Sequence, residues 1–430
     1  MIRLLRAVFP LGRGCECNKK GGTGMVRFLS LLIVLVGLCT TACSANGAPP
    51  EPSPSRNKLT VALYPIIPAF TEYRYEVMTG FAATSEGRGI DLDLPDLTDG
   101  YYDPKKKNFI ESVQADVYEV DSVFLRDFAP ALIQPLPKEL TPSDKEFLAN
   151  ARRVANVDGT WYGVPHWACG NLLFFDRNDR QIGNVHTLGE LTTAIGSSHD
   201  AGKGLLVDLS GKSTLGEFYL MALLDRYQDS TVALSHLSPF DTDIEDDLKV
   251  VESVCDSGLC RNQTYHYAEG FYPAQFARHG GRAMIGYSES LYYLLRESQN
   301  ACKEKECYTD QDLGVTNVPL DAKGATPMSW VDLLVISKRC TGQCLRNAIA
   351  FIHYLNSEAT LVKHLTGTPP RYLLPARASV YANAELLKSA PLYAQLRPLI
   401  QDSATPTAPK LGPTLRDYGA RLDKELPAPK

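Results

Sequence analysis

"KLTVALYPIIP", residues 58–68, alternates as a half-buried strand does and stops at Pro68. "ADVYEVDSVFL" (115–125) repeats the pattern as a second strand, with Asp116 and Asp121 bracketing its apolar positions. Between them "EYRYEVMTGFAAT" (72–84) has the spacing of an amphipathic helix, so the body opens as a β-α-β unit. "LTPSDKEFLANARRV" (140–154) predicts a helix capped by Thr141, with Pro142 in its first turn and Asp144 complementing the positive end.

The same alternation continues outward. "NLLFFDRN" (171–178), "KGLLVDLS" (203–210), "RAMIGYSES" (282–290) and "MSWVDLLVISK" (328–338) read as strands. "TLGELTTAIGSSH" (187–199), "TLGEFYLMALLDRY" (214–227), "SLYYLLRES" (290–298) and "CLRNAIAFIHYLNS" (344–357) read as helices. The fold class this predicts is α/β, and 430 residues exceed what one core usually serves, so two lobes are expected, with ligand at the carboxyl ends of strands. The boundaries expected are 58–162 for the first part of lobe 1 and 163–318 for the first part of lobe 2. Residues 319–362 return to lobe 1, and a helical segment, 363–430, lies mainly with lobe 2. There is no internal repeat.

Composition is that of a soluble globular protein, 44% hydrophobic and 22% charged, and a net charge of −5 leaves no electrostatic footprint for nucleic acid. The lysines of "DPKKKN" (103–108) fit a solvated turn. From Met25 the chain reads as an export signal (25–43): one arginine, a long apolar core and small residues before Cys43. A Pro/Ser-rich linker (44–57) follows, and residues 1–24 fit a mis-called start. "TTAC" resembles a bacterial lipobox with Cys43 lipidated, although Thr40 stands where leucine is usual. The protein is therefore expected outside the cytoplasm, periplasmic, cell-surface or secreted, touching membrane only through a lipid on Cys43, and monomeric.

Seven cysteines remain in the body. Six form close pairs, Cys255/Cys260, Cys302/Cys307 and Cys340/Cys344, which in an exported protein read as local disulfides rather than as zinc ligands. Cys169 in "TWYGVPHWACGNLLFFDRN" (160–178) is left over; it is either a small buried hydrophobe or a nucleophile. Other motifs fail: "LLVDLSGKST" (205–214) ends like a phosphate loop but has Leu206 where glycine is required, and there is no His-Glu-x-x-His. His166, three residues before Cys169, is a possible activator of the thiol.

A nucleophilic thiol needs a base or a positive field. Glu289 in "GYSES" is an acid at the end of an apolar strand, able to act as base if burial raises its pKa; equally, Ser288 or Ser290 caps the next helix and Glu289 decorates its first turn. Trp161 and Trp167 precede Cys169, Trp330 precedes Asp332 by two, and Tyr64, Tyr101, Tyr102, Tyr272 and Tyr287 lie at strand ends or in turns. Aromatic faces beside carboxylates suit a cationic, planar, nitrogen-rich ligand.

Six blocks, "VALYPIIP", "VYEVDSVFL", "WYGVPHWACGNLLFF", "GGRAMIGYSES", "RYLLPARASVY" and "LGPTLR", run in an order and spacing that resemble bacterial thiaminase I, the thiamine pyridinylase, from about Lys58 to Leu426. The resemblance implies a fold like the type II periplasmic binding proteins, two α/β lobes with the ligand in the cleft. It implies that Cys169 attacks the pyrimidine of thiamine, that Glu289 activates it, and that Asp121 and Asp332 hold the aminopyrimidine. Cleft tyrosines of the family correspond to Tyr64, Tyr287, Tyr272 and one of Tyr101 or Tyr102, while Trp330 stands where tyrosine is expected. Ala168 and Gly170 also depart from the usual flanks of the nucleophile. The implied substrates are thiamine and a small nucleophile (amine, pyridine, thiol or water), with no metal or organic cofactor. The competing reading is a lipid-anchored solute-binding protein for thiamine or a related pyrimidine, and a third is an exchange enzyme preferring thiamine analogues.

Overall fold

A computed structural model describes residues 57–97, 110, 113–196, 202–256, 258–266, 268–302 and 307–426. All lie in one compact unit, residues 55–430. The segments expected as export signal and linker, except Asn57, together with the lysine run and Tyr101 and Tyr102, fall outside the described residues. Among the described residues no helix is long and apolar enough to cross a membrane.

The chain opens with β1 (Lys58–Ala62), the helix Phe70–Ala83 and β2 (Asp91–Asp93), followed by β3 (Val117–Asp121). β1 pairs in parallel with both β2 and β3, which is the expected β-α-β connectivity. β3 ends earlier than its apolar run predicts. At Asp121 the side chain accepts the Val123 amide at 2.8 Å and starts the helix Ser122–Phe128.

A two-residue ladder, β4 (Asn156–Val157) and β5 (Thr160–Trp161), leads into β6 (Gly163–Cys169) and then β7 (Asn171–Asp176). Further along come β8 (Leu205–Leu206), β9 (Ala283–Tyr287), β10 (Leu313–Asn317), β11 (Trp330–Ile336) and β12 (Leu374–Pro375). They form a six-stranded sheet, β12-β6-β11-β3-β1-β2, and a four-stranded sheet, β10-β7-β9-β8. Every residue of β11 is buried, as expected of a central strand covered on both faces.

β7 shows how the cores divide: Leu173 and Phe175 face one apolar cluster while Leu172 and Phe174 face the other. The first cluster spans the six-stranded sheet and the face of the four-stranded sheet that carries Phe174, Met284 and Leu313. The second holds the helix Lys212–Tyr227, whose middle is buried on all sides, and the helix Leu411–Glu425. These two helices approach so closely that a Cβ on Gly216 would lie 2.0 Å from the Leu415 carbonyl oxygen.

Two boundary expectations need correction. β6 belongs to the six-stranded sheet, so the chain crosses at Gly170, not at residue 163. Residues Val318, Leu320 and Met328 still pack in the second cluster, which moves the return from 319 towards Trp330. In the C-terminal segment β12 joins the six-stranded sheet, the helix Tyr393–Gln401 packs on β10 of the four-stranded sheet, and the final helix lies in the second cluster.

The helix expected over 140–154 spans only Ala149–Ala155. Thr141, Pro142 and Asp144 precede it without capping it, because the backbone at 146–148 is committed elsewhere. The Leu148 amide donates to the Ala376 carbonyl at 2.9 Å, the Ala378 amide donates to the Glu146 carbonyl at 2.8 Å, and Phe147 bridges to Arg377. The three close cysteine pairs are joined as disulfides.

Candidate active site

Strand register brings the sequence-predicted acids and the cysteine to one place. Across β11 and β3, Asp332 lies directly opposite Asp121. Across β11 and β6, Trp330 opposes Cys169 and Asp332 opposes Trp167. Residues opposed in an antiparallel pair project to the same face, so Cys169, Trp330, Asp332 and Asp121 share one face at the sheet's end.

The chain then crosses to the second sheet in a single step. β6 ends at Cys169 and β7 begins at Asn171, which opposes Tyr287 of β9. The link must be glycine, since a Cβ on Gly170 would meet the Met328 carbonyl oxygen at 2.4 Å. Two residues past Tyr287, Glu289 occupies the N-cap position of the helix Ser290–Ala301. No side chain caps that helix, so neither Ser288 nor Ser290 fills the capping role; instead the Ser288 hydroxyl donates to Glu289 Oε2 at 3.4 Å.

Cys169 is half-buried and in no disulfide. Burial pushes its thiol well above the ordinary range, and the charges of Asp332, Asp121, Glu289 and Glu217 push it further the same way. Burial also raises Glu289 to about 7, against the opposing hydrogen bonds of its own amide and Ser288. Asp121 rises to about 7, again by burial first, although Oδ1 accepts from the Val123 amide and the Ser122 hydroxyl. Asp332 is raised by burial and then by Glu119, Asp121 and Glu289, and its Oδ1 is buried with no hydrogen-bond partner among the described residues.

Two predicted tyrosines join this group. Burial and then Asp332, Cys169, Asp121 and Glu289 raise the Tyr64 phenol, which places it among all four. The Tyr287 hydroxyl donates to Glu217, and Cys169 and Tyr64 both act on it. Tyr272 is engaged elsewhere: its hydroxyl donates to the Leu259 carbonyl at 2.8 Å, and after burial the charge that acts on it most is that of Asp208. Trp161 is also outside the group, with Arg152 5.7 Å from its ring centroid.

His166 does not activate the thiol. The β6–β11 register slips between Asp332 and Leu333, making His166 the extra residue of a bulge. The slip turns His166 towards Glu119, whose Oε1 lies 2.5 Å from its Nδ1, both side chains fully buried. Glu119 Oε2 accepts the Tyr64 amide at 2.9 Å, so this buried pair anchors the backbone that carries Tyr64.

Glu217 and Asn171 were absent from the sequence-predicted site. Glu217 Oε1 accepts from Asn171 Nδ2 at 2.8 Å, and the carboxylate also receives the Tyr287 hydroxyl and the Trp330 indole. Burial raises it to about 7 in spite of these three donors. The signal in the sequence was an acid isolated in the apolar run "LGEFYLMALL", where an unpaired charge is costly.

For metal chemistry, among the described residues Asp116, Cys340 and Cys344 come within ligand reach of one another. They do not fit a metal: the two sulfurs are joined to each other, and Asp116 Oδ2 accepts the Thr60 amide at 2.9 Å.

Residues 170–304 match the model of the Thiaminase-1 domain. The chain is 26% identical over 414 residues to the thiaminase-1 of Paenibacillus thiaminolyticus, an alignment that covers 92% of this chain and 94% of the relative. Its structure is similar to thiaminase I from Bacillus thiaminolyticus, with TM-score 0.72, 25% identity, 86% of this chain covered and 100% of the other. It is similar also to Clostridium botulinum thiaminase I in complex with thiamin, with TM-score 0.71, 25% identity and coverages of 86% and 99%. A maltose-bound binding protein of T. maritima, 16% identical with TM-score 0.58 over 86% of this chain and 98% of its own, shares the fold. The fold is thus the two-lobed α/β architecture of type II solute-binding proteins.

Proposed function

We infer that this chain, thiaminase I-like in its domain and in its fold, is an enzyme that cleaves thiamine at the methylene bridge and transfers the pyrimidinylmethyl group to a small nucleophile. The observation that carries the reading is the surrounding of Cys169 by Asp332, Asp121, Glu289 and Glu217. Carboxylates around a thiol disfavour its ionisation, and the charge that favours it comes with the substrate, as the thiazolium cation.

The Cys169 sulfur adds to the pyrimidine carbon adjacent to the one that bears the bridge, and its proton passes to Glu289. The ring's electrons then expel the thiazole, which leaves as a neutral molecule with the bond pair. The nucleophile adds to the exposed methylene carbon and loses its proton. Electrons return to the ring, the carbon–sulfur bond breaks, and the departing sulfur recovers a proton from Glu289.

Asp332 and Asp121 polarise the ring by receiving the hydrogen bonds of the aminopyrimidine. The buried, unpartnered Asp332 Oδ1 is an acceptor suited to that role. Tyr64, Tyr287 and Trp330 supply aromatic surface, the last two fixed through Glu217. Tyr272 takes no part in holding the ligand, since its hydroxyl is committed to Leu259. No metal or organic cofactor takes part.

The protein is exported, held at a membrane by lipid on Cys43 or released, and acts as a monomer. Incubation with thiamine and aniline tests the activity through thiazole release. The competing role as a carrier has the fold of the maltose-bound protein in its favour, and recovery of bound but intact thiamine would assign it.

A further inference from the structure

Glu217 sits on the helix Lys212–Tyr227, apart from the strand that carries Cys169 and from the helix that begins at Glu289, and its side chain is buried. Its three donors come from three strands: Asn171 begins β7, Tyr287 ends β9, and Trp330 begins β11. β7 and β9 belong to the four-stranded sheet and β11 to the six-stranded sheet. Each donor is tied to a reactive group: Trp330 opposes Cys169, Asn171 follows Cys169 across Gly170, and Tyr287 precedes Glu289 by two residues.

We propose that Glu217 is a positioning residue: one carboxylate gathers the three strand ends and fixes the separation between the Cys169 sulfur and the Glu289 carboxylate across the junction of the two sheets. An ionised carboxylate suits the task because it only accepts, and three donors converge on it. A glutamine in its place turns an NH2 towards at least one donor and leaves that donor unpaired in a buried site. An aspartate keeps the charge but falls one methylene short of strands that come from two sheets. Glu217 is not assigned contact with substrate.

The rate readout rests on the thiamine-cleaving function proposed above, so the test includes a second readout independent of it. Steady-state kinetics with thiamine and aniline are measured for wild type, Glu217→Gln and Glu217→Asp, alongside the pH dependence of Cys169 alkylation by iodoacetamide without substrate. Glu217→Gln lowers kcat by about 10²-fold, the cost of a misplacement near 1 Å, with KM within about threefold.

Because the substitution also removes a like charge facing Cys169, Glu289 and Asp121, with Asp332 the remaining acid of the group, the acid limb of the pH profile and the alkylation curve both move to lower pH. Glu217→Asp keeps that charge: kcat falls about tenfold while both curves stay in place, which a general loss of folding does not reproduce. Wild-type kcat in Glu217→Asp overturns the proposal, as does an unmoved alkylation curve in Glu217→Gln. If the wild type releases no thiazole, the functional reading fails, and an unmoved alkylation curve in Glu217→Gln still overturns the placement of the Glu217 carboxylate beside Cys169.

Discussion

Asp332 and Asp121 face each other directly across the β11–β3 ladder, two like charges at a site where sheet pairs normally carry opposite or apolar partners. Such a pair costs stability and persists where a ligand uses it. Both carboxyls are raised, by burial first, so the folded state binds their protons more tightly than the unfolded state does. For Asp121 this contribution is therefore fully present below the unfolded pKa near 4 and is lost as pH rises through about 7, and that of Asp332 has the same sign.

That sign gives a stability prediction. Asp332→Asn relieves the repulsion and raises Tm at pH 8 by roughly 2 °C or more, with a smaller gain at pH 5, while thiamine binding weakens. Calorimetry at the two pH values checks it; a lower Tm at pH 8 contradicts the charge assignment.

Glu289 must be ionised to take the thiol proton. With its carboxyl at about 7, kcat/KM falls as pH drops below about 7 and levels off above it. Glu289→Gln lowers kcat by roughly 10²- to 10⁴-fold with little change in KM. An acid limb near 4.5, or a change confined to KM, assigns the base elsewhere.

The resting thiol should be quiet. Carboxylates and burial hold Cys169 above the usual thiol range, so its alkylation by iodoacetamide without substrate has a midpoint above about 8.5. Rates are read by peptide mass spectrometry, and a midpoint below neutrality contradicts the anionic environment.

Gly170 is fixed by sterics. Gly170→Ala forces a Cβ to within 2.4 Å of the Met328 carbonyl oxygen, at the link joining Cys169 to the second sheet. The expected result is a loss of about 1–3 kcal/mol in urea unfolding together with reduced turnover. Wild-type stability and rate in that variant would show the link to be slack.

The fold was legible where pattern and environment agreed. The alternation at residues 58–68 and the apolar run at 328–338 became β1 and β11, although β1 ends at Ala62, well before Pro68. Local reasoning failed where distant pairing took over the backbone: residues 146–148 bond to the strand-like segment around Ala376, which no window around Thr141 contains. It failed again at Asp121, which caps a helix inside a run that alternates like a strand.

Cys169 and Glu289 stood out by their chemistry, and Asp121, Asp332, Tyr64 and Tyr287 were marked by the resemblance; the registers set Asp332 opposite Asp121, Trp330 opposite Cys169 and Asn171 opposite Tyr287. Glu217 was hidden because a buried acid in an apolar helix shows its purpose only once its donors on three other strands are seen. His166 misled through sequence proximity; a bulge of one residue turns it to Glu119.

The central claim is a covalent bond between the Cys169 sulfur and the pyrimidine of thiamine. Its most direct measurement is a rapid quench of wild-type protein mixed with thiamine without added amine, followed by peptide mapping, with Cys169→Ser in parallel. The account predicts a pyrimidinylmethyl adduct on the Cys169 peptide of the wild type, and in Cys169→Ser no adduct and thiazole release at least about 10³-fold slower. Thiazole released by Cys169→Ser at the wild-type rate, or an adduct on any other residue, contradicts it.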